Sequence, residues 1–305
     1  MFYKKFKNIF LTIIIISLTS CISMKTKEDI CADYYNIGIE YSSIKNYTKA
    51  IEMFLKALEY DENHTKSILN LVITYQNNKN YDKAETLIVK YYKPKVDEFN
   101  KKLLFLLGNN YFYQLDYDKA IKTFKIYTQS FTEETNAYFN IGLCYLKKSD
   151  KKEALKYFIE SYNKNNKFIP AIYNIATYYY DEKDYENSVK YYKILIDIDK
   201  ENPEVYYRLG IFEYDKNEFE LAKDYFTKAS SLDTKNPEYY IYLARIYAKG
   251  YNNKKKTLEY IEKALLNEYK NINSIKSIKE FELLLEFKEF DELLEKYKEK
   301  NKKNN

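Results

Sequence analysis

The chain has no tryptophan, one histidine, 3 cysteines, 4 prolines and 5 glycines in 305 residues. Each scarcity excludes something. So few glycines and prolines leave little turn chemistry for sheets or long loops, and the expected fold class is all-α. The lone His64, at the junction of two repeats, reads as a solvated connector residue, and no metal or cofactor site is expected around it. No glycine-rich phosphate loop is present, which removes the usual nucleotide chemistry. A strong charge of either sign is also missing. The net charge is +5, but Lys4, Lys5 and Lys7 belong to an N-terminal leader, and without them 47 basic residues face 45 acidic ones. That balance predicts no nucleic-acid partner.

What the chain does have is a period. The stretch Pro203 to Asn236 carries Tyr206, Leu209, Gly210, Phe219, Ala222, Phe226, Ala229 and Asp233 at places 4, 7, 8, 17, 20, 24, 27 and 31 of a 34-residue unit. The same pattern starts at Cys31, Thr65, Lys101, Thr135, Ile169, Pro203 and Pro237, with every step 34 except one of 36. Such regularity is the signature of stacked helix pairs. Places 4, 7, 8 and 11 share one face of a first helix, and places 20, 24 and 27 share one face of a second. Small residues at places 8 and 20 let the pair approach closely, and the aromatics at place 24 (Phe54, Phe124, Phe158, Tyr192, Phe226) fill the gaps between pairs. Asn202 before Pro203, and Asn236 before Pro237, read as helix N-caps followed by proline at the first helical position.

On these residues the chain resembles a tetratricopeptide repeat protein over residues 31–271. It departs from that pattern in two ways. The family's usual tryptophan at place 4 is Tyr, Ile or Leu, and its usual proline at place 32 is absent. The resemblance implies a right-handed superhelical solenoid of about seven helix-turn-helix units. The second unit is the irregular one, with Val72 at the small place and Pro94 near its end. Residues 91–100 read as a longer junction and a bend, with a domain boundary there as the alternative. After the seventh unit, Ile275, Ile278, Phe281, Leu284, Phe287, Phe290, Leu293, Leu294 and Tyr297 are spaced for one or two amphipathic helices, so 272–299 is expected to cap the array. Residues 300–305 read as a frayed tail. Cys31 and Cys144 stand three units apart, six helices at roughly 8–10 Å each, too far for the roughly 7 Å Cα separation of a disulfide. Cys144 reads as a small buried hydrophobe.

The N-terminus is the second informative stretch. Lys4, Lys5 and Lys7 precede the apolar run Ile9 to Leu18 and the small-residue exit Thr19, Ser20, Cys21, which is the plan of a secretory signal over 1–20. Its apolar core of ten residues is shorter than the roughly 20 a spanning helix needs. The ending Leu18-Thr19-Ser20-Cys21 resembles the lipobox of bacterial lipoproteins, which implies a lipidated Cys21 as the first mature residue. An ordinary signal peptide or an uncleaved anchor is the competing reading. Residues 21–30 would then be the lipidated cysteine and a short tether, at most about 35 Å long. With no Asp in the second mature position, the periplasmic face of the outer membrane is the favoured address in the cell envelope.

Function is expected on the outward face of each first helix. At 100° per residue, places 2, 5, 6, 9, 12 and 13 point away from the packing face. In the family this face lines the concave groove that holds partners. Place 5 reads Tyr35, Leu69, Phe105, Phe139, Tyr173, Tyr207, Ile241; place 9 reads Ile39, Ile73, Asn109, Leu143, Thr177, Ile211, Arg245. Place 6 adds a polar ladder of Asn36, Asn70, Asn140, Asn174 and Arg208, whose amides offer donors and acceptors to a peptide backbone. The expected binding groove is therefore Tyr35, Asn36, Asn70, Phe105, Asn109, Phe139, Asn140, Tyr173, Asn174, Tyr207 and Arg208. The family's carboxylate clamp, Lys at place 5 with Asn at place 9, is absent from every unit. The expected function is a non-enzymatic, lipid-anchored scaffold of the bacterial envelope that binds a protein or peptide, in envelope assembly or secretion. The alternative is a small-ligand or glycan-binding protein using the tyrosines as stacking faces. No oligomeric state is read from the sequence.

Overall fold

Among the described residues, seven of the eight non-glycine residues with positive φ recur with the repeat. They are Lys45, Lys79, Leu115, Ser149, Lys183, Asn217 and Asn252, with φ between 48° and 65°. Six stand at the fifteenth place, and Asn252 is one further along because the seventh repeat carries an extra residue. Each ends a first helix, and the residue after it donates its backbone N–H back to the last turn, as Asn46 does to Tyr41 and Asp116 to Tyr111, both at 2.9 Å. This is the left-handed helix stop usually given to glycine. Here glycine is used elsewhere, because four of the five stand at place 8. The next residue then caps the second helix: Asn46, Asp116, Asp184 and Asn253 each accept the N–H three residues on.

The structure is a computed structural model that describes residues 25–303. The expected leader, Cys21 and the start of the tether lie outside the described residues. Among the described residues there are fifteen α-helices, two 3-10 segments and no strands, so the chain is all-α. The chain divides into two compact units, one ending at Asp150 and one starting at Lys151. The alternative domain boundary at 91–100 is not met, since both flanks of that junction belong to the first unit.

The first unit holds α1 (Lys27–Ser43), α2 (Tyr47–Tyr60), α3 (Thr65–Asn77), α4 (Tyr81–Tyr91), α5 (Glu98–Tyr113), α6 (Tyr117–Ser130) and α7 (Thr135–Lys147). Helix α1 begins inside the expected tether, because Thr26 and Asp29 form a capping box that starts it at Lys27. Its packing rule is a glycine under a ring. A Cβ added to Gly38 would lie 2.6 Å from the Phe54 ring, and one on Gly108 would lie 2.5 Å from Phe124. In the irregular second repeat the rule is kept with volumes exchanged. Val72 replaces the glycine, Ile88 replaces the ring, and both are fully buried in one cluster. The long junction is a built turn: buried Asn100 accepts the Lys93 N–H at 2.6 Å and donates to Asp97, the cap of α5.

The second unit holds α8 (Lys151–Lys164), α9 (Ile169–Asp181), α10 (Tyr185–Ile198), α11 (Pro203–Asp215), α12 (Phe219–Leu232), α13 (Pro237–Lys249) and α14 (Lys254–Leu266), then 3-10 turns at Ile272–Ser277 and Lys279–Leu284, and α15 (Lys288–Lys303). Asn202 and Asn236 cap α11 and α13 ahead of their prolines, as the sequence predicts. Where place 20 is polar it is satisfied. Ser188 donates across the pair to the Ala176 carbonyl at 3.0 Å, and Thr257 donates to Asn253 at 2.8 Å. The C-terminal segment packs on the seventh repeat, with Ile275, Phe281, Leu284, Phe290 and Leu294 in one cluster with Ile241, Ala244 and Ile261. Its first half is not amphipathic α-helix as expected but two 3-10 turns. Its helix runs through Lys303, four residues into the stretch expected as a frayed tail, carried there by strong helix formers with no breaker.

Candidate functional site

The outward residues of the first helices divide into two classes that the helical wheel alone had merged. Place 5 lies only 60° around the helix from place 8. Its ring therefore meets the same place-24 ring that covers the glycine. Phe105 lies 5.6 Å from Phe124 and 5.4 Å from Tyr127, and Tyr35 lies 6.0 Å from Phe54 and 5.4 Å from His64. In the second unit Tyr173 lies 6.2 Å from Tyr192, while Tyr207 packs against Phe226, Tyr239 and Tyr242. The expectation of a free row of aromatics at place 5 is thus corrected: these rings are half-buried wedges between helices. Phe139 is likewise half-buried. Place 9 is farther from the packing face, and Ile39 and Ile73 there are exposed.

The amide ladder is partly spent on the scaffold. Asn70 donates to Tyr35 Oη at 3.4 Å and to the Lys66 carbonyl at 3.0 Å. Asn140 donates to Asn109 Oδ1 at 3.1 Å, which links two neighbouring repeats. Asn174 turns back on its own helix to the Pro170 carbonyl at 2.8 Å, and Arg208 Nε bonds Glu204 at 2.7 Å. Asn36 is exposed.

In the first unit a cavity of about 410 Å³ opens on this face. Its apolar lining is Leu69, Ile73, Phe105, Leu106 and Tyr127, joined by Asn70, so two residues of the expected groove meet in it. Its rim is ionic and was not foreseen: Glu98, Lys101, Lys102, Glu134 and Asn136. Lys101 pairs with Glu134 at 2.6 Å and with Glu98 at 3.7 Å, and Lys102 reaches Glu98 at 3.4 Å. The hydrogen bond to Glu134 holds the Lys101 ammonium above its usual pKa, and burial pushes the Tyr127 phenol up. The signal that could have found this rim is positional. Lys101 and Asn136 occupy the first and second places of their repeats, one turn ahead of place 5.

In the second unit the corresponding face is covered. Arg245, at place 9 of α13, lies 4.9 Å from the ring centres of both Tyr214 and Tyr242. Its Nη2 donates to Glu280 Oε1 at 2.8 Å, and Tyr214 Oη donates to the same oxygen at 2.6 Å. Glu280 belongs to the second 3-10 turn, so the C-terminal segment reaches back past the seventh repeat to the sixth. Burial acts to raise the Glu280 pKa, but the bonds from Arg245 and Tyr214 outweigh it and hold the carboxyl below its usual range. Burial raises the nearby Asp215 and Glu238 carboxyls.

Among the described residues no group of three His, Cys, Asp or Glu side chains is arranged to hold a metal ion, and no helix is long and apolar enough to cross a membrane. Cys31 and Cys144 are free and buried, and burial pushes the Cys144 thiol up to about 12, which removes thiolate chemistry at neutral pH.

Family models described as tetratricopeptide repeat match residues 33–64, 105–165, 169–202 and 203–236. Among solved structures, the C-terminal part of a TPR repeat-containing protein from Cytophaga hutchinsonii is similar with a TM-score of 0.64 at 19% identity, over 80% of this chain and 99% of that one. PilF from Pseudomonas aeruginosa is similar with a TM-score of 0.55 at 20% identity, over 70% of this chain and 96% of that one. At these identities the likeness concerns the fold alone. No curated protein matches the chain by sequence.

Proposed function

We propose, from the premise that the chain is a tetratricopeptide repeat protein, that it is a non-enzymatic scaffold holding a protein partner on the inner face of its first helices. The observation that carries this reading is the first-unit cavity. Its apolar lining is bounded by paired lysines and glutamates, a plan suited to one or two bulky side chains of a peptide or partner helix whose own polar groups meet the rim. The glycan alternative is weaker, because Tyr35, Tyr173 and Tyr207 are half-buried against neighbouring rings.

Photo-crosslinking in intact cells tests it. A benzophenone side chain at Ile73, 39% exposed and in the cavity lining, is expected to give one discrete adduct, and the same probe at Val89, 65% exposed on α4, is expected to give none. No adduct at Ile73, or the same adducts at both positions, overturns the proposal.

The envelope address is proposed on the leader alone. The lysines, the short apolar run and Leu18-Thr19-Ser20-Cys21 support a lipidated Cys21. Because α1 begins at Lys27, at most about 21 Å of chain would separate lipid and scaffold. An alkyne fatty acid fed to cells is expected to label the protein and to leave Cys21→Ser unlabelled. Label retained in that variant sinks the anchor.

A further inference from the structure

Arginine is almost absent from this chain. Of its 50 basic residues only Arg208 and Arg245 are arginine. Both stand on the inner face of the second unit, on α11 and α13, and both lie against tyrosines: Arg208 at 5.9 Å from Tyr180, Arg245 between Tyr214 and Tyr242. In a chain that otherwise uses lysine, arginine marks a need that lysine cannot meet. Its guanidinium is a flat fork that stacks on rings and grips a carboxylate through two parallel N–H bonds.

At Arg245 that fork is half used. Nη2 donates to Glu280, while Nε is buried with no acceptor among the described residues. A buried donor left unmade costs free energy, and a carboxylate bridging Nε and Nη2 would remove that cost. Glu280 does not bridge them. It is carried on a 3-10 turn whose flanking Phe281 and Leu284 are fully buried. In the segment Ile278-Lys279-Glu280-Phe281 the carboxylate is thus followed directly by a buried ring, and the contact that holds it leaves Arg245 Nε without an acceptor.

We propose that the inner face of the second unit accepts a segment of a partner protein in which a carboxylate is followed by bulky apolar residues, and that residues 278–287 occupy this place in the resting chain as an intramolecular stand-in. This rests on reading the inner face as the partner-binding surface. The stand-in shows the chemistry the site takes: a carboxylate for Arg245 and Tyr214, with bulky apolar groups beside it. A tethered occupant competes at an effective concentration in the millimolar range, so a partner binds only when its segment is better fitted or when the stand-in is released.

The test uses the full chain and a fluorescent synthetic peptide copying residues 276–287. Glu280→Gln with Phe281→Ala, which releases the stand-in, is expected to bind the peptide about tenfold more tightly than the unaltered chain. Adding Arg245→Lys keeps the charge but removes the fork, and is expected to return that gain about tenfold. Hydrogen exchange on the unaltered chain guards against a misfolded variant: saturating peptide is expected to expose 272–287 while α13 stays protected. Equal affinity of the unaltered and released chains, indifference to Arg245→Lys, or no exchange response overturns the proposal. So does a dimer that exchanges C-terminal segments, which would make a second copy the occupant. The crosslink at Ile73 is read in the other unit, so success there with failure here sinks this inference alone.

Discussion

The two units are built from one repeat, yet their inner faces differ. In the first, Ile39 and Ile73 at place 9 are exposed and a cavity of about 410 Å³ stands open beside an ionic rim. In the second, place 9 of the last repeat is Arg245, and a segment from beyond the array covers it. The comparison teaches that the packing places and the outward places vary independently. Gly38, Gly108 and Gly210 all lie beneath a phenylalanine ring, whichever unit they belong to. Place 9 is less uniform: Ile39 and Ile73 are exposed, Ile211 is buried with Ala222 and Phe226, and Arg245 meets the C-terminal segment.

The largest effect should come from removing the shared packing element. Phe124→Ala and Phe226→Ala each delete a fully buried ring and should cost about 3–5 kcal/mol. Because repeats contact only their neighbours, hydrogen exchange should show the loss mainly in the unit that carries the change. Uniform deprotection of both units would break the distinction between them.

A smaller effect separates the covered face from the open one. Glu280→Ala leaves Arg245 and Tyr214 without their shared acceptor and should cost about 1.5–3 kcal/mol, with exchange rising in 272–287. Lys101→Ala removes a rim charge of the open cavity and should change urea stability by less than about 1 kcal/mol.

The turns offer a comparison of similar type. Leu115, 69% exposed, holds φ of 65° in the first unit, where its Cβ is strained, while Asn217 holds 60° in the second with a side chain that tolerates it. Leu115→Gly should stabilise the chain by about 1 kcal/mol in a urea titration, and Asn217→Gly by only a few tenths.

Acid should distinguish the units in direction. In the first, hydrogen bonds from backbone and side chains at the caps lower Asp29, Asp97 and Asp116. A lowered carboxyl stabilises above its unfolded pKa, and that gain is lost as pH falls through the folded value, so protection there should only decline below pH about 4. In the second, burial raises Asp215 and Glu238, whose ionisation weakens the fold, so protonating them on the way down from neutral pH restores stability. Glu280, held low, then loses its contribution below its ordinary value. Exchange protection of α13 against pH should pass through a maximum near pH 4 to 4.5, and Glu280→Gln should make the fall on the acid side shallower, the remainder coming from Glu220 and Glu259, which hydrogen bonds also hold low.

Much of this was legible in the residues. The period, the helix pairs, the caps at Asn202 and Asn236 and the buried places 8, 20 and 24 all follow from i, i+3, i+4 spacing within about fifteen residues. Of the expected groove, Asn70 and Phe105 meet in the cavity, and Asn109 and Asn140 meet each other. The free row at place 5 was misread because the wheel gives a direction without a distance. At 60° from place 8, a ring as large as Tyr207 reaches the neighbouring aromatics instead of solvent. The left-handed turns at Lys45, Lys79 and Leu115 carry no residue that announces them, and only the helix stop they share makes them visible.

The sequence by itself determined that this chain is a run of helix pairs, because each pair is specified by local periodicity and local caps. The tertiary structure alone decided which inner face is open and which is covered. Glu280 meets Arg245 across 35 residues and Tyr214 across 66, and such contacts depend on where successive repeats place their helices, which no local pattern encodes.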